Sequence, residues 1–151
     1  MKIIAQNKKA RHEFEILTEY EAGLSLLGSE VKSLRKGKAN IQDAYIGVDE
    51  DEIYIYNMNI PPYEMSNRFN HSPTRKRKLL LNRKEINKIS GNIKLKGLTV
   101  VPLILYFNEK NIAKLKISLA KGKKLYDKRQ DLKERDWKRN KDILIKEFSQ
   151  K

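Results

Sequence analysis

The chain has 151 residues, with 33 Lys and Arg against 19 Asp and Glu, for a net charge of +14. That length is enough for one domain and little more, and the charge draws the molecule to phosphate in fast, salt-sensitive association. The lack of cysteine excludes a disulfide framework, a zinc knuckle and a thiol nucleophile, and no apolar run approaches the ~18–20 residues of a spanning helix.

Residues 1–12 are mostly polar and basic and read as a loose lead-in, with too short an apolar stretch for a secretory signal. Phe14, Ile16, Thr18 and Tyr20 then alternate with charged or other residues, and Leu24 and Leu26 resume the alternation. This predicts two strands with Ala22-Gly23 as the tight turn between them. Ser29 can cap a short helix through Lys36, with Val31 and Leu34 on one side and Gly37 as its stop. Strand returns over residues 43–60. Tyr45, Ile46 and Val48 precede an acidic turn, Asp49-Glu50-Asp51-Glu52, after which Ile53 and Ile55 alternate with Tyr54 and Tyr56.

Pro61-Pro62 breaks that strand. Residues 61–77 form a loop long enough to carry function, ending in the basic cluster Arg75-Lys76-Arg77-Lys78. Asn82 and Glu85 are spaced as a capping box. They open a helix with Ile86, Ile89 and Ile93 on one face, weakened at Gly91 and stopped at Gly97. Two strands follow, residues 98–107 and 112–119. In the second, Ile112, Lys114, Lys116 and Ser118 make a wet, basic face, and Ala113, Leu115, Ile117 and Leu119 a buried one. Pro102 in the first marks an edge or a bulge.

About six short strands and two helices predict a mainly β fold with short helices, a closed or nearly closed antiparallel β-barrel of oligonucleotide-binding type. The barrel takes residues 1–120, and residues 121–151 form a basic C-terminal tail of net charge +6. Asp131 with Arg135, Glu134 with Lys138 and Asp142 with Lys146 have the helix-favouring order. The apolar residues divide between two faces, Trp137, Leu144 and Phe148 on one and Leu125, Leu132 and Ile143 on another. Two readings stand: a solvated surface helix, or an arm disordered when free that becomes helical on a polyanion.

The chemistry points away from catalysis. His12 and His71 are far apart in sequence. There is no metal-spaced set, glycine-rich phosphate loop or nucleophile elbow. Neither a metal nor another cofactor is expected. His12 reads as a phosphate contact or a polar packing residue, and His71 as a residue that orients the 61–77 loop. Tyr126 stands between Lys123-Lys124 and Lys128-Arg129, and Trp137 between Arg135 and Lys138-Arg139. An aromatic ring flanked by cations can stack on a base while its neighbours hold phosphates; packing on a protein, or lying bare on the surface, is the alternative for Trp137. A membrane surface is the competing polyanion, and the tail has no wide apolar face for it.

Three stretches, GSEVKSLRKGKANIQDAY (28–45), NRFNHSPTRKRKLLLNRKEI (67–86) and AKGKKLYDKR (120–129), closely resemble the SsrA-binding protein family, SmpB. The likeness runs in order from Asn7 to the region of Trp137. It implies a cytoplasmic, monomeric, non-enzymatic RNA-binding factor with an oligonucleotide-binding-type barrel. Such a factor binds the tRNA-like domain of transfer-messenger RNA and delivers it to stalled ribosomes for trans-translation. Carried onto this chain, the resemblance implies that Asn7, Phe14, Glu21, Leu80, Asn82 and Lys114 contact that RNA. Phe14 stands where the family commonly has Tyr, and Asn82 where many members have His. Gly122, Tyr126, Asp127, Lys128 and Arg129 are implied to meet small-subunit RNA at the decoding centre. Trp137, Leu144 and Ile145 are implied to serve as tail positions in the empty message channel. The competing reading is a structural, ribosomal-protein-like binder; an enzyme acting on RNA is a third.

Overall fold

The computed structural model describes residues 1–63 and 70–122. The chain divides into two units, Met1–Lys121 and Gly122–Lys151, and all of the second but Gly122 lies outside the described residues. The elements in chain order are β1 (Lys2–Gln6), α1 (Ala10–Glu13), β2 (Phe14–Leu24), α2 (Gly28–Arg35), β3 (Tyr45–Asp49), β4 (Glu52–Tyr56), β5 (Arg77–Leu80), α3 (Arg83–Lys96), β6 (Thr99–Phe107) and β7 (Ala113–Gly122).

The strands form a single sheet in the order β1-β6-β7-β2-β5-β4-β3. The expected mainly β architecture with short helices is present, with seven strands in place of six and three helices in place of two among the described residues, α1 having been read as part of the loose lead-in, and the sheet is not closed. β3 comes alongside β6, so the sheet curls, but no ladder joins these strands among the described residues.

Three further differences from the sequence reading have local causes. The lead-in forms β1, because Ile3, Ala5 and their neighbours find β6 as a partner. Ala22-Gly23 makes no turn: β2 runs through it, and Gly23 pairs with Leu80 of β5. β5 was hidden inside the basic cluster. Arg77 is buried and Lys78 is not, an alternation that charge alone does not reveal.

The helices begin and end as their local chemistry directs. Ser29 is not the cap of α2, since it lies inside the helix. The Leu27 N–H instead donates to Glu30 Oε1 at 2.7 Å. Gly37, with φ +75°, follows this helix in the left-handed region open to glycine. The capping box of α3 forms as expected: Asn82 Oδ1 accepts from the Glu85 N–H at 2.8 Å, and Glu85 Oε1 accepts from the Asn82 N–H at 3.2 Å. Gly97, at φ +63°, ends the helix.

One side of the sheet covers the main core, where Ile53, Ile55, Leu79, Leu105 and Leu115 meet Leu34 of α2 and Ile86 and Ile89 of α3. A smaller cluster joins Ala10, Phe14 and Ile16 to Val101, Leu103 and Ala120. The two clusters lie on opposite faces of β6, with Val100 in the large one and Val101 in the small one. The β6–β7 register slips between Pro102 and Ile104, and a one-residue slip reverses the side that each following side chain takes. Val101 and Leu103 therefore enter the small cluster, whereas Leu105 and Phe107 enter the large one.

Candidate nucleic-acid interface

The outer face of the sheet carries the polar groups. Residues directly opposite across a ladder share a face, so Ile3, Tyr106 and Lys114 lie in one row across β1, β6 and β7. Glu21, on the next strand β2, extends the row: the Tyr106 hydroxyl donates to Glu21 Oε2, reaching across β7. Tyr106 is only 3% exposed, whereas Glu21 is exposed. Burial first, and then the Glu21 carboxylate, push the Tyr106 hydroxyl up to about 12. It therefore keeps its proton at neutral pH and remains a donor.

Lys116 shares the face of Lys114, with its Nζ 4.0 Å from Glu19 Oε2, and Glu19 Oε1 accepts from Arg11 Nη2 at 3.3 Å. Such exposed pairs are worth roughly 0–1 kcal/mol, so an incoming phosphate can replace the carboxylate. Glu21, Tyr106, Asn108, Lys110, Lys114 and Lys116 line a cleft of about 580 Å³. Ser118, expected on the wet face, is buried, because its hydroxyl donates to the Thr18 carbonyl at 3.0 Å.

Leu80 lies one strand beyond Glu21, and it lines a hollow of its own with Glu52, Lys78 and Arg83. Gly23 lies opposite it and two residues from Glu21. A Cβ at position 23 would stand 3.1 Å from Leu80 Cβ. Glycine is thus what lets β5 approach and leaves Leu80 on the outer face, 51% exposed. Lys114, Glu21 and Leu80 consequently fall on three consecutive strands, β7, β2 and β5: a cation, an acceptor and an apolar ledge side by side. Asn82 follows Leu80 by two residues, but its side-chain oxygen is committed to capping α3.

Asn7 and Phe14 are elsewhere. They line a separate cavity of about 270 Å³ with Lys9, Gln42, Tyr45 and Pro102. Asn7 Nδ2 donates to the Pro102 carbonyl at 3.0 Å, and the Asn7 N–H donates to the Leu103 carbonyl at 2.8 Å. Asn7 Oδ1 is buried without a hydrogen-bond partner among the described residues. The six residues thus divide between two places rather than forming one patch.

Gly122 is exposed at the end of β7. Tyr126, Asp127, Lys128, Arg129, Trp137, Leu144 and Ile145 lie outside the described residues. His71 acts on the loop as expected: one ring nitrogen, Nε2, is 2.7 Å from the Ile60 carbonyl and Nδ1 is 2.9 Å from Ser29 Oγ. Nε2 therefore carries a proton, since a carbonyl only accepts. His12 is exposed on α1. Among the described residues no three His, Asp or Glu side chains gather as a metal site, and no helix is long and apolar enough to cross a membrane. Sequence reading missed Tyr106. Its one signal was a tyrosine at an outward position between the core residues Leu105 and Phe107.

An open antiparallel sheet with a lysine-flanked outer cleft and an exposed apolar residue on the next strand is the arrangement that a nucleic-acid-binding β-sheet protein uses. The family described as SmpB protein matches residues 4–147. An SsrA-binding protein of Agrobacterium fabrum (strain C58 / ATCC 33970) is 57% identical over 149 residues, covering 99% of this chain and 93% of its own. One from Wolbachia pipientis subsp. Culex pipiens (strain wPip) is 58% identical over 146 residues, covering 97% and 98% respectively. A solved structure described as "tmRNA-SmpB: a journey to the center of the bacterial ribosome" is 45% identical, covers 84% of this chain and 92% of its own, and superposes with a TM-score of 0.66. The chain belongs to the SmpB family.

Proposed function

We propose that this chain is a non-enzymatic RNA-binding factor of ribosome rescue. It binds the tRNA-like domain of transfer-messenger RNA and brings it to stalled ribosomes in the cytoplasm. The observation that carries the RNA-binding reading is the run of Lys114, Glu21 and Leu80 over three adjacent strands. A lysine holds phosphate, a carboxylate accepts from base or ribose donors, and an apolar ledge packs against an unstacked base. Asn7 and Phe14 form a second contact around their own cavity. Asn82 contributes chiefly by ordering α3 beside Leu80. The family's relatives, named for SsrA binding, and the tmRNA–SmpB complex support this reading.

The division of labour follows from charge. The unit Met1–Lys121 carries its own core and the outer cleft, and acts as a monomer on the RNA. Residues 122–151 serve the small-subunit RNA, Gly122, Tyr126, Asp127, Lys128 and Arg129 at the decoding centre and Trp137, Leu144 and Ile145 in the empty message channel. A helix with paired charges and no single apolar stripe gains most where phosphates neutralise it.

The test is a chain ending at Gly122, the last residue of β7, compared with the full chain. Filter binding to the tRNA-like domain should be retained, while tagging of peptides on stalled ribosomes should be lost. Loss of specific RNA binding by the shortened chain would overturn this division.

A further inference from the structure

We infer that Tyr106 is a positioning residue for RNA recognition. Its hydroxyl holds the Glu21 carboxylate in one orientation, as an acceptor for the N–H and O–H donors of an unstacked guanine or a ribose. The inference rests on the reading of Glu21 as an RNA contact and adds a residue that the reading does not contain.

Tyr106 and Glu21 are separated by a whole strand, since β7 lies between β6 and β2. The tyrosine side chain spans that gap and its hydroxyl ends on Oε2. Packing alone does not call for the hydroxyl, because the neighbouring core positions are filled by Leu105 and Phe107 on the opposite face. A phenylalanine would cover the same surface.

The pull that the hydroxyl opposes is visible in the same cleft. Lys110, Lys114 and Lys116 line it with Glu21. An untethered glutamate among lysines spends part of its time on an ammonium, and each such pairing competes weakly with the ligand for both groups. One hydrogen bond from a buried donor to Oε2 biases the side chain away from such pairings and leaves Oε1 for the ligand. It also orders the side chain before binding, so the entropy of ordering is not taken from the complex. The proton stays on oxygen throughout the neutral range, so the tether does not switch off.

The experiment is a double-mutant cycle on the full chain with Tyr106→Phe and Glu21→Ala, read by affinity for the isolated tRNA-like domain. Tyr106→Phe should weaken binding about tenfold in the wild-type background and hardly at all in the Glu21→Ala background. Its melting temperature should stay near wild type, and the salt slope of binding should be unchanged, because the number of phosphates held is the same. Inosine in place of loop guanosines, or deoxyribose in place of loop riboses, should cost the wild type more than it costs Tyr106→Phe. Which replacement shows this difference tells which donor is read. Unchanged affinity of Tyr106→Phe, or an equal loss in both backgrounds, would overturn the inference. If Glu21→Ala itself binds like wild type, the assignment of Glu21 to the RNA fails instead.

Discussion

Arg77 offers the sharpest test of how the fold is held. Its guanidinium and the Glu30 carboxylate are both fully buried. Arg77 donates from Nε to Glu30 Oε2. From Nη1 it donates to the carbonyls of Met58 at 2.6 Å and Arg75 at 3.2 Å, and from Nη2 to that of Pro73 at 3.1 Å. One side chain thus ties α2 to the segment after β4 and to the loop before β5. Arg77→Met keeps much of the volume and removes every one of these donations. Breaking a buried pair from one side costs about 3–5 kcal/mol, because the remaining charge stays buried. Here Glu30 keeps Arg75, at 2.6 Å from Nη2 and 3.1 Å from Nε, so the lower end, about 3 kcal/mol, is expected. Against a total of about 5–15 kcal/mol this is a large loss, and the melting temperature should fall by roughly 10 °C. Urea unfolding of the full chain followed by circular dichroism measures it. The double variant Glu30→Met with Arg77→Met should lose less than the sum of the single losses, since no buried charge is then left behind. A loss below about 1 kcal/mol for Arg77→Met, or strict additivity in the double variant, would refute the clasp.

Three other outcomes follow from the same geometry. Burial alone would raise the Glu30 carboxyl, but hydrogen bonds from Arg75, the Leu27 amide and Arg77 outweigh it and hold the group below its ordinary 4.5. The stabilisation is therefore full above the unfolded value and is lost as pH falls through the lower folded one. The stability gap between wild type and Glu30→Gln should be level near neutrality and shrink between about pH 5 and pH 2; a gap that widens on acidification would contradict the assignment. Asn82→Ala should cost about 1 kcal/mol by removing the α3 cap, and Asn82→Asp should restore most of it in thermal melts. Gly23→Ala sets a Cβ 3.1 Å from that of Leu80; it should destabilise by about 1–3 kcal/mol and weaken RNA binding by shifting the ledge, and wild-type affinity would argue against Leu80 as a contact.

Several elements were plain in the chain. The capping box at Asn82 and Glu85 and the glycine after α3 are rules of a few residues that tertiary contacts did not override, and of the edge or bulge that Pro102 allowed, the pairing of β6 with both β1 and β7 selects the bulge. The alternation of β7 was legible except at Ser118, whose hydroxyl finds the Thr18 carbonyl 100 positions away. The residues missed are those whose partners are remote in sequence. β1 exists because of β6, β5 because of β2 and β4, and the inward side chain of Arg77 because Glu30 waits 47 positions earlier.

The sequence by itself determined the basic charge, the mainly β character, both ends of α3 and the family, all of which are properties of composition, short periodicity and local motifs. Tertiary structure decided that Ala22-Gly23 is mid-strand, that the sheet stays open, and that Asn7 and Phe14 stand apart from Glu21, Lys114 and Leu80. It also decided that a tyrosine on β6 grips a glutamate two strands away. Strand order brings those groups together, and strand order is set by the summed burial and pairing of distant segments, which no local pattern encodes.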